Sequence, residues 1–252
     1  MIWSKIESYE RKKIEEIQLE RLKETVNRVY EKVLPYRKKM DEIGLSPEDV
    51  TSLDDLKKLP FVTKQDLRDN YPFGLFAVPK DELVRIHASS GTTGKPTVVG
   101  YTKGDLDTWT ECVSRIACAG GARSEDVAQI CFGYGMFTGA LGLHYGLEKI
   151  GATVIPNSSG NTEKALMYMR DFGTTVLVAT PSYALYMCET AKSLEYPMSD
   201  YKLRLGLLGS EGCTPEMRAQ IENGWGLFAT DNYGMSELIG PGVSGECQER
   251  DG

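Results

Sequence analysis

Metal-binding residue types are scarce in this sequence, which has two histidines and six cysteines among 252 residues and no Cys-x-x-Cys pair. Zinc sites in proteins are typically built from closely spaced cysteines and histidines, so the composition argues against one. We expect reduced thiols. Cys247 is interpreted as a simple thiol, and the sequence leaves open whether it ligates a metal together with residues beyond Gly252.

Long apolar runs and an excess of positive charge are missing as well. No stretch reaches the ~18 consecutive apolar residues that cross a bilayer, and the charged N-terminus does not resemble a secretion signal. Lysine and arginine number 29 against 36 aspartate and glutamate, a formal net charge of −7. Such a balance provides no positive field for nucleic acid. We therefore expect a soluble, cytoplasmic protein without nucleic-acid or membrane partners.

The hydrophobic pattern changes along the chain. Residues 1–78 show helical spacing, with an amphipathic helix predicted from Tyr9 to Tyr30 and another helix beginning at Thr63, where Thr63 and Asp66 form a capping pattern. Residues 79–252 alternate short apolar runs with helical stretches, which predicts an α/β fold with a largely parallel sheet flanked by helices. The predicted strands are 127–132, 153–155, 175–179, 203–208 and 227–230, and the predicted helices are 138–149, 163–172, 182–192 and 215–223.

A loop rich in glycine and hydroxyl groups separates two further predicted strands, 83–88 and 97–101. Glycine lets backbone amides converge on phosphate oxygens, hydroxyls add hydrogen bonds and an ammonium group offsets negative charge. ATP is the expected ligand, and a solvated turn is the alternative for such a composition. A Walker A loop is excluded, because it requires glycine at Ser89 and a hydroxyl residue at Pro96. The loop consists of Ser89, Ser90, Gly91, Thr92, Thr93, Gly94, Lys95 and Pro96.

A second polar box lies far downstream and consists of Asp231, Asn232, Tyr233, Gly234, Met235, Ser236 and Glu237. The loop and the box, in this order, resemble the acyl-adenylate-forming superfamily. The resemblance implies that the loop grips the β- and γ-phosphates of ATP and that Asp231 to Gly234 bind the nucleotide, with Tyr233 against adenine. It further implies that Ser236 contacts the α-phosphate and that Glu237 coordinates Mg²⁺, so Lys95, Ser236 and Glu237 are the expected catalytic residues. Most members carry threonine where Ser236 stands, and serine keeps the hydroxyl.

Between the two motifs, the predicted strand 203–208 ends in the small residues Gly209 and Ser210, followed by Glu211. The carboxyl end of a strand in an α/β sheet is a place where a nucleotide base approaches the backbone, so these three residues are predicted to bind the adenine of ATP. A glycine-rich turn between a strand and a helix is the alternative interpretation.

The stretches 132–146 and 151–156 resemble the phenylacetate-CoA ligase branch of the superfamily. Aromatic walls favour a flat ring and small residues leave room for it, which predicts a slot for an aryl acid. Packing in the protein core is the alternative interpretation, and His144 is expected to be a hydrogen-bonded core histidine rather than a base. The predicted substrate-binding residues are Tyr134, Phe137, Gly139, Ala140 and Met235.

The resemblance implies that an aryl carboxylic acid is activated by ATP and Mg²⁺ to its acyl-AMP and then transferred to coenzyme A. It also implies a homodimer. Two alternatives stay open: an adenylating enzyme that uses another acceptor, and a non-catalytic nucleotide-binding module. The sequence does not determine which aryl acid is used.

Family members also carry a later ribose-binding aspartate, a hinge and a small C-terminal domain with a catalytic lysine. We find none of these in residues 1–252, and we predict neither helix nor strand in the glycine- and glutamate-rich stretch 240–252. We therefore expect a fragment of the large domain that by itself is inactive or nearly so.

Overall fold

The computed structural model describes residues 2–89 and 94–250. The chain forms two compact units: the N-terminal unit, Ser4–Lys103, and the sheet unit, Met1–Trp3 with Gly104–Gly252. The predicted boundary between residues 78 and 79 lies inside the N-terminal unit and stays a prediction. Of the helices described, none has the length and apolar character that crossing a membrane requires.

The N-terminal unit is mainly helical. Its α-helices are α1 (Arg11–Lys32), α2 (Leu34–Glu42) and α3 (Lys64–Asp69), and its 3₁₀ turns are Lys5–Ser8, Pro47–Asp49, Leu53–Lys58 and Lys80–Glu82. The predicted helix from Tyr9 to Tyr30 is confirmed as α1. Val26, Met40 and Val50 form a small core beneath it.

Thr63 and Asp66 form the predicted helix start. Thr63 Oγ1 accepts a hydrogen bond from the Asp66 amide at 3.3 Å, and Asp66 Oδ2 accepts one from the Thr63 amide at 2.7 Å. The reciprocal bonds satisfy amides that a helix N-terminus otherwise leaves free. The Lys39 ammonium, and after it the hydrogen bonds that Thr63 donates to the carboxylate, lower the pKa of Asp66 to about 2.

Two short strands of the N-terminal unit flank the glycine- and hydroxyl-rich loop 89–96, the predicted phosphate loop. Strands β1 (Arg85–Ala88) and β2 (Val98–Tyr101) pair antiparallel, with Ala88 opposite Val98. The loop was predicted to join two strands, and that placement is confirmed. Residues 90–93 lie outside the described part of the chain.

A six-stranded sheet organises the sheet unit, in the order β4-β3-β5-β6-β7-β8. Adjacent strands from β4 to β7 are parallel, and β8 is antiparallel to β7. The predicted α/β fold with a largely parallel sheet is confirmed. The strands are β3 (Val127–Ile130), β4 (Thr153–Ile155), β5 (Val176–Ala179), β6 (Leu205–Gly209), β7 (Phe228–Met235) and β8 (Gly240–Gly245).

Helices cover both faces of this sheet, so the central strands β5 and β6 are buried along their whole length. The helices are α4 (Lys103–Gly120), α5 (Gly139–Lys149), α6 (Thr162–Asp171), α7 (Pro181–Ser193) and α8 (Pro215–Trp225), with 3₁₀ turns at Met198–Asp200 and Ser236–Leu238. On one face, residues of α6, α7 and α8 join Leu177, Leu208 and Ala229 in the main core. On the other face, Gly120 of α4 lies against Leu207 and Thr230.

The sequence predicted neither helix nor strand in residues 240–252, and this prediction is wrong. Strand β8 pairs with the outer edge of β7, where Tyr233 lies opposite Ser244 and Asn232 opposite Gly245. Glycine is a poor strand former, so the glycine-rich composition of residues 240–245 did not indicate a strand. The backbone N–H and C=O groups along the edge of β7 need hydrogen-bond partners, and β8 supplies them. This pairing uses backbone atoms and depends little on the side chains of β8.

Helix α4, which our sequence analysis did not identify, carries a buried tryptophan. Trp109 is 1% exposed, and its indole ring lies against the backbones of Gly142 on α5 and Gly240 at the start of β8. A Cβ atom at either glycine would overlap the ring. This contact joins α4, α5 and β8.

Replacing Gly240 by alanine should destabilise the sheet unit by about 3 kcal/mol. The φ of Gly240 is +136°, a conformation strained for alanine, and the added methyl group would also collide with Trp109. Left-handed backbone strain costs ~1–2 kcal/mol and overpacking ~1–3 kcal/mol. Chemical denaturation monitored by circular dichroism measures the loss.

Gly160→Ala is the matched control. Gly160 has a φ of +138° but nothing lies within 4 Å of the position that its Cβ would take. It should therefore lose only the strain contribution, ~1–2 kcal/mol. Equal losses for the two variants would contradict the role assigned to Trp109.

Candidate functional site

The carboxyl edge of the sheet brings together two of the predicted motifs. Gly209, the last residue of β6, pairs with Asn232 of β7. A Cβ at Gly209 would lie 2.5 Å from the Asn232 carbonyl oxygen, so only glycine fits there. The Asn232 side-chain amide in turn donates to the Leu208 carbonyl oxygen at 2.9 Å. The ends of β6 and β7 are thereby held close together.

Ser210 and Glu211 turn the chain away from β6 and both are exposed. Ser210 has a φ of 72°, the left-handed conformation, and Glu211 Oε1 accepts a hydrogen bond from the Ser182 amide at 2.6 Å. The Glu211 carboxylate is therefore bonded to the beginning of α7.

The polar box continues β7 past this edge. Tyr233 is 60% exposed, and its hydroxyl donates to Met235 Sδ at 3.3 Å. Gly234 lies between them, and a 3₁₀ turn, Ser236–Leu238, follows. The box thus presents an aromatic ring, a hydroxyl and a carboxylate in succession.

Asp231 is a half-buried carboxyl of the box. Burial, reinforced by the nearby Glu246 carboxylate, raises the pKa of Asp231. Its backbone amide donates to Glu246 Oε2 at 2.8 Å, and Glu246 forms an ion pair with Arg218 at 2.9 Å. These bonds fasten β7 immediately before Asn232.

Thr138, which the sequence analysis did not assign to the site, connects the box to the segment after β3. Its Oγ1 lies 3.4 Å from Ser236 Oγ and the residue is 1% exposed. The sequence signal was its place at the start of the predicted helix 138–149; in the structure it is the N-cap residue of α5, and its side chain makes no capping hydrogen bond. A buried hydroxyl therefore lies beside the serine predicted to contact the α-phosphate.

Of the residues of the predicted aryl slot, Phe137 lies against Gly139 and is 41% exposed. The Phe132 and Phe137 ring centroids are 6.3 Å apart, and the Phe137 ring lies over Gly139. Ala140 is fully buried. The space beside Gly139 is thus filled by Phe137, and an aryl ring needs this side chain to move. The slot stays a prediction.

Tyr134 and His144 form a hydrogen-bonded chain at the same segment. Tyr134 OH lies 3.0 Å from His144 Nδ1, and His144 Nε2 lies 3.0 Å from Glu148 Oε1. Burial raises the pKa of Tyr134. Both nitrogens of His144 therefore have partners, as expected of a structural histidine.

The described residues of the phosphate loop belong to the N-terminal unit. Ser89 exchanges two hydrogen bonds with Thr97, from its amide to the carbonyl oxygen and from the Thr97 amide to its Oγ, each 2.9 Å. These bonds close the neck of the loop. Gly94 has a φ of +133°, and Lys95 is exposed with its Nζ 5.4 Å from the ring centroid of Tyr71. Ser90, Gly91, Thr92 and Thr93 lie outside the described residues.

Curated relatives of the chain are phenylacetate-coenzyme A ligases. It is 51% identical to the enzyme of Pseudomonas putida over 232 residues, 92% of this chain and 53% of that protein. It is 51% identical to the Escherichia coli K12 enzyme (94% and 54%) and 48% identical to the Thermus thermophilus enzyme (100% and 57%). The chain spans about half the length of these relatives.

Solved structures show the same fold. A 2-hydroxyisobutyryl-CoA ligase in an open conformation, in complex with 2-HIB-AMP and CoA, superposes with a TM-score of 0.88 at 25% identity, over 94% of this chain and 57% of that chain. The same ligase in the thioesterification state gives a TM-score of 0.91 at 24% identity, over 97% and 54%. The family model of AMP-binding enzymes matches residues 8–251, and the chain therefore belongs to that family.

Proposed function

We propose that this chain is the nucleotide- and acid-binding portion of an enzyme that uses ATP to activate an aryl carboxylic acid of the phenylacetate type as acyl-AMP, then forms its CoA thioester. One observation carries the proposal: Gly209 pairs with Asn232, so the segment predicted to bind adenine lies beside the polar box. The phenylacetate-coenzyme A ligases that match over at least 92% of this chain support the choice of acid and acceptor.

Activation in such an enzyme is an in-line attack of the acid carboxylate on the α-phosphorus of ATP, with pyrophosphate leaving. Positioning and charge stabilisation account for most of such catalysis, so no general base is required. Tyr233 would stack on adenine, Ser236 would donate to the α-phosphate, and Lys95 would offset the charge of the departing pyrophosphate. Thr138 would hold the Ser236 hydroxyl in place.

Glu237 fits a magnesium ion that arrives with ATP. Among residues 2–89 and 94–250 its carboxylate has no ion-pair or hydrogen-bond partner, and no group of three acidic, histidine or cysteine side chains is present that would form a cage. Magnesium in nucleotide enzymes commonly takes one or two carboxylates and completes its shell with phosphate oxygens and water. The Glu237 carboxylate would supply one such ligand. A homodimer, implied by the resemblance, stays a prediction.

Residues 1–252 should bind ATP in a way that depends on the acid. We expect phenylacetate to change the ATP affinity by about fivefold or more, because two ligands that react with each other bind at adjacent positions. Isothermal titration with ATP and Mg²⁺, with and without phenylacetate, measures the coupling. Hexanoate serves as the aliphatic control.

An ATP affinity that is the same with phenylacetate, with hexanoate and without acid would favour a non-catalytic nucleotide-binding module. In ATP/pyrophosphate exchange, residues 1–252 should stay near background. Appreciable acyl-CoA formation by the chain alone would contradict the expectation that it needs the rest of its relatives' length.

Glu237→Gln should weaken ATP binding about tenfold in the presence of Mg²⁺ and leave binding without Mg²⁺ unchanged. An amide is a poorer ligand than a carboxylate for a hard cation, and the loss corresponds to ~1.4 kcal/mol. Titrations with and without EDTA separate the two cases. Glu189→Gln, which removes an exposed carboxylate from α7, is the control and should change neither. An equal loss with and without Mg²⁺ would show that Glu237 acts otherwise.

A further inference from the structure

Glu211 completes the N-terminus of α7 from 29 residues away in sequence. The first turn of α7 consists of Pro181, which has no N–H, Ser182 and Tyr183. Thr180 Oγ1 accepts from the Tyr183 amide at 3.2 Å, and Glu211 Oε1 accepts from the Ser182 amide at 2.6 Å. A carboxylate is also favoured at this end of a helix by the helix dipole.

Ser210, the residue before Glu211, has an unusual backbone conformation. Gly209 before it is held against the Asn232 carbonyl oxygen of β7, and Glu211 after it is held by α7. Ser210 makes the turn between these two anchors with a φ of 72°. Serine disfavours the left-handed conformation, whereas glycine adopts it freely. The Glu211 bond thus directly follows a residue in an unfavourable backbone conformation.

We propose that Glu211 is a positioning residue for ATP. By bonding the Ser182 amide it keeps Ser210 left-handed and so holds the Gly209–Glu211 backbone in the conformation that receives the adenine. This inference rests on the proposed function, since ATP binding by this segment is itself part of that proposal. It refines the predicted role of Glu211 from a nucleotide contact to a support for the nucleotide contacts made by its neighbours.

A double-variant cycle in residues 1–252 tests the mechanism. Glu211→Ala should weaken ATP binding about fivefold, and Glu211→Gln, which keeps a carbonyl acceptor for Ser182, should recover most of that loss. In a Ser210→Gly background, the further loss caused by Glu211→Ala should fall below about twofold, because glycine needs no support to stay left-handed. Isothermal titration gives the affinities, and thermal unfolding confirms that each variant is folded.

Two further measurements complete the test. Glu189→Ala removes an exposed negative charge that belongs to α7 itself and should leave ATP binding unchanged. The NMR amide signal of Ser182, recorded without nucleotide, should move in Glu211→Ala and only slightly in Glu211→Gln, which reports the bond independently of ATP.

A fivefold loss that persists in the Ser210→Gly background would overturn the positioning role and indicate a direct nucleotide contact. ATP binding by the wild-type chain that Glu211→Ala leaves intact would overturn the positioning role while the proposed function stands. Absence of ATP binding by the wild-type chain would contradict the proposed function, and this inference with it.

Discussion

The indole of Trp109 packs against two glycine backbones, and the carboxyl edge of the sheet depends on that contact. Gly142 belongs to α5 and Gly240 begins β8, so one buried side chain positions a helix and a strand that are far apart in sequence. Strand β8 pairs with β7. Close approach of the tryptophan to bare backbone thus fixes the start of β8, where Gly240 pairs with Met235 at the end of β7.

The two edges of the parallel sheet are built differently. At the amino edge Asp126 is 2% exposed, and it accepts hydrogen bonds from Arg204 Nε at 2.9 Å and Thr175 Oγ1 at 2.7 Å. The buried carboxylate there has all its partners in the protein and serves to join β3, β5 and β6. At the carboxyl edge, Ser210 and Tyr233 are exposed. Satisfied groups at one edge and accessible groups at the other agree with the general location of ligand sites in α/β sheets.

Hydrophobic periodicity predicted most of the sheet unit. The runs at 175–179 and 203–208 correspond to β5 and β6, because strands buried on both faces must be apolar throughout. Helix α4 was not identified, although Trp109, Val113, Ile116 and Ala117 recur at helical spacing on its buried face. No strand was predicted where β8 forms. Its pairing is decided by the edge of β7, and its glycine-rich sequence shows no strand pattern.

The sequence by itself determined the chemistry of the candidate site: the hydroxyl- and glycine-rich loop, the aromatic ring with its neighbouring hydroxyl and carboxylate, and the small residues that end β6. These are local properties of short segments. Only the tertiary structure decided that Thr138 lies beside Ser236 and that Glu211 bonds to the start of α7. Contacts between residues remote in sequence follow no periodicity, and they arise only when the sheet brings its strand ends together.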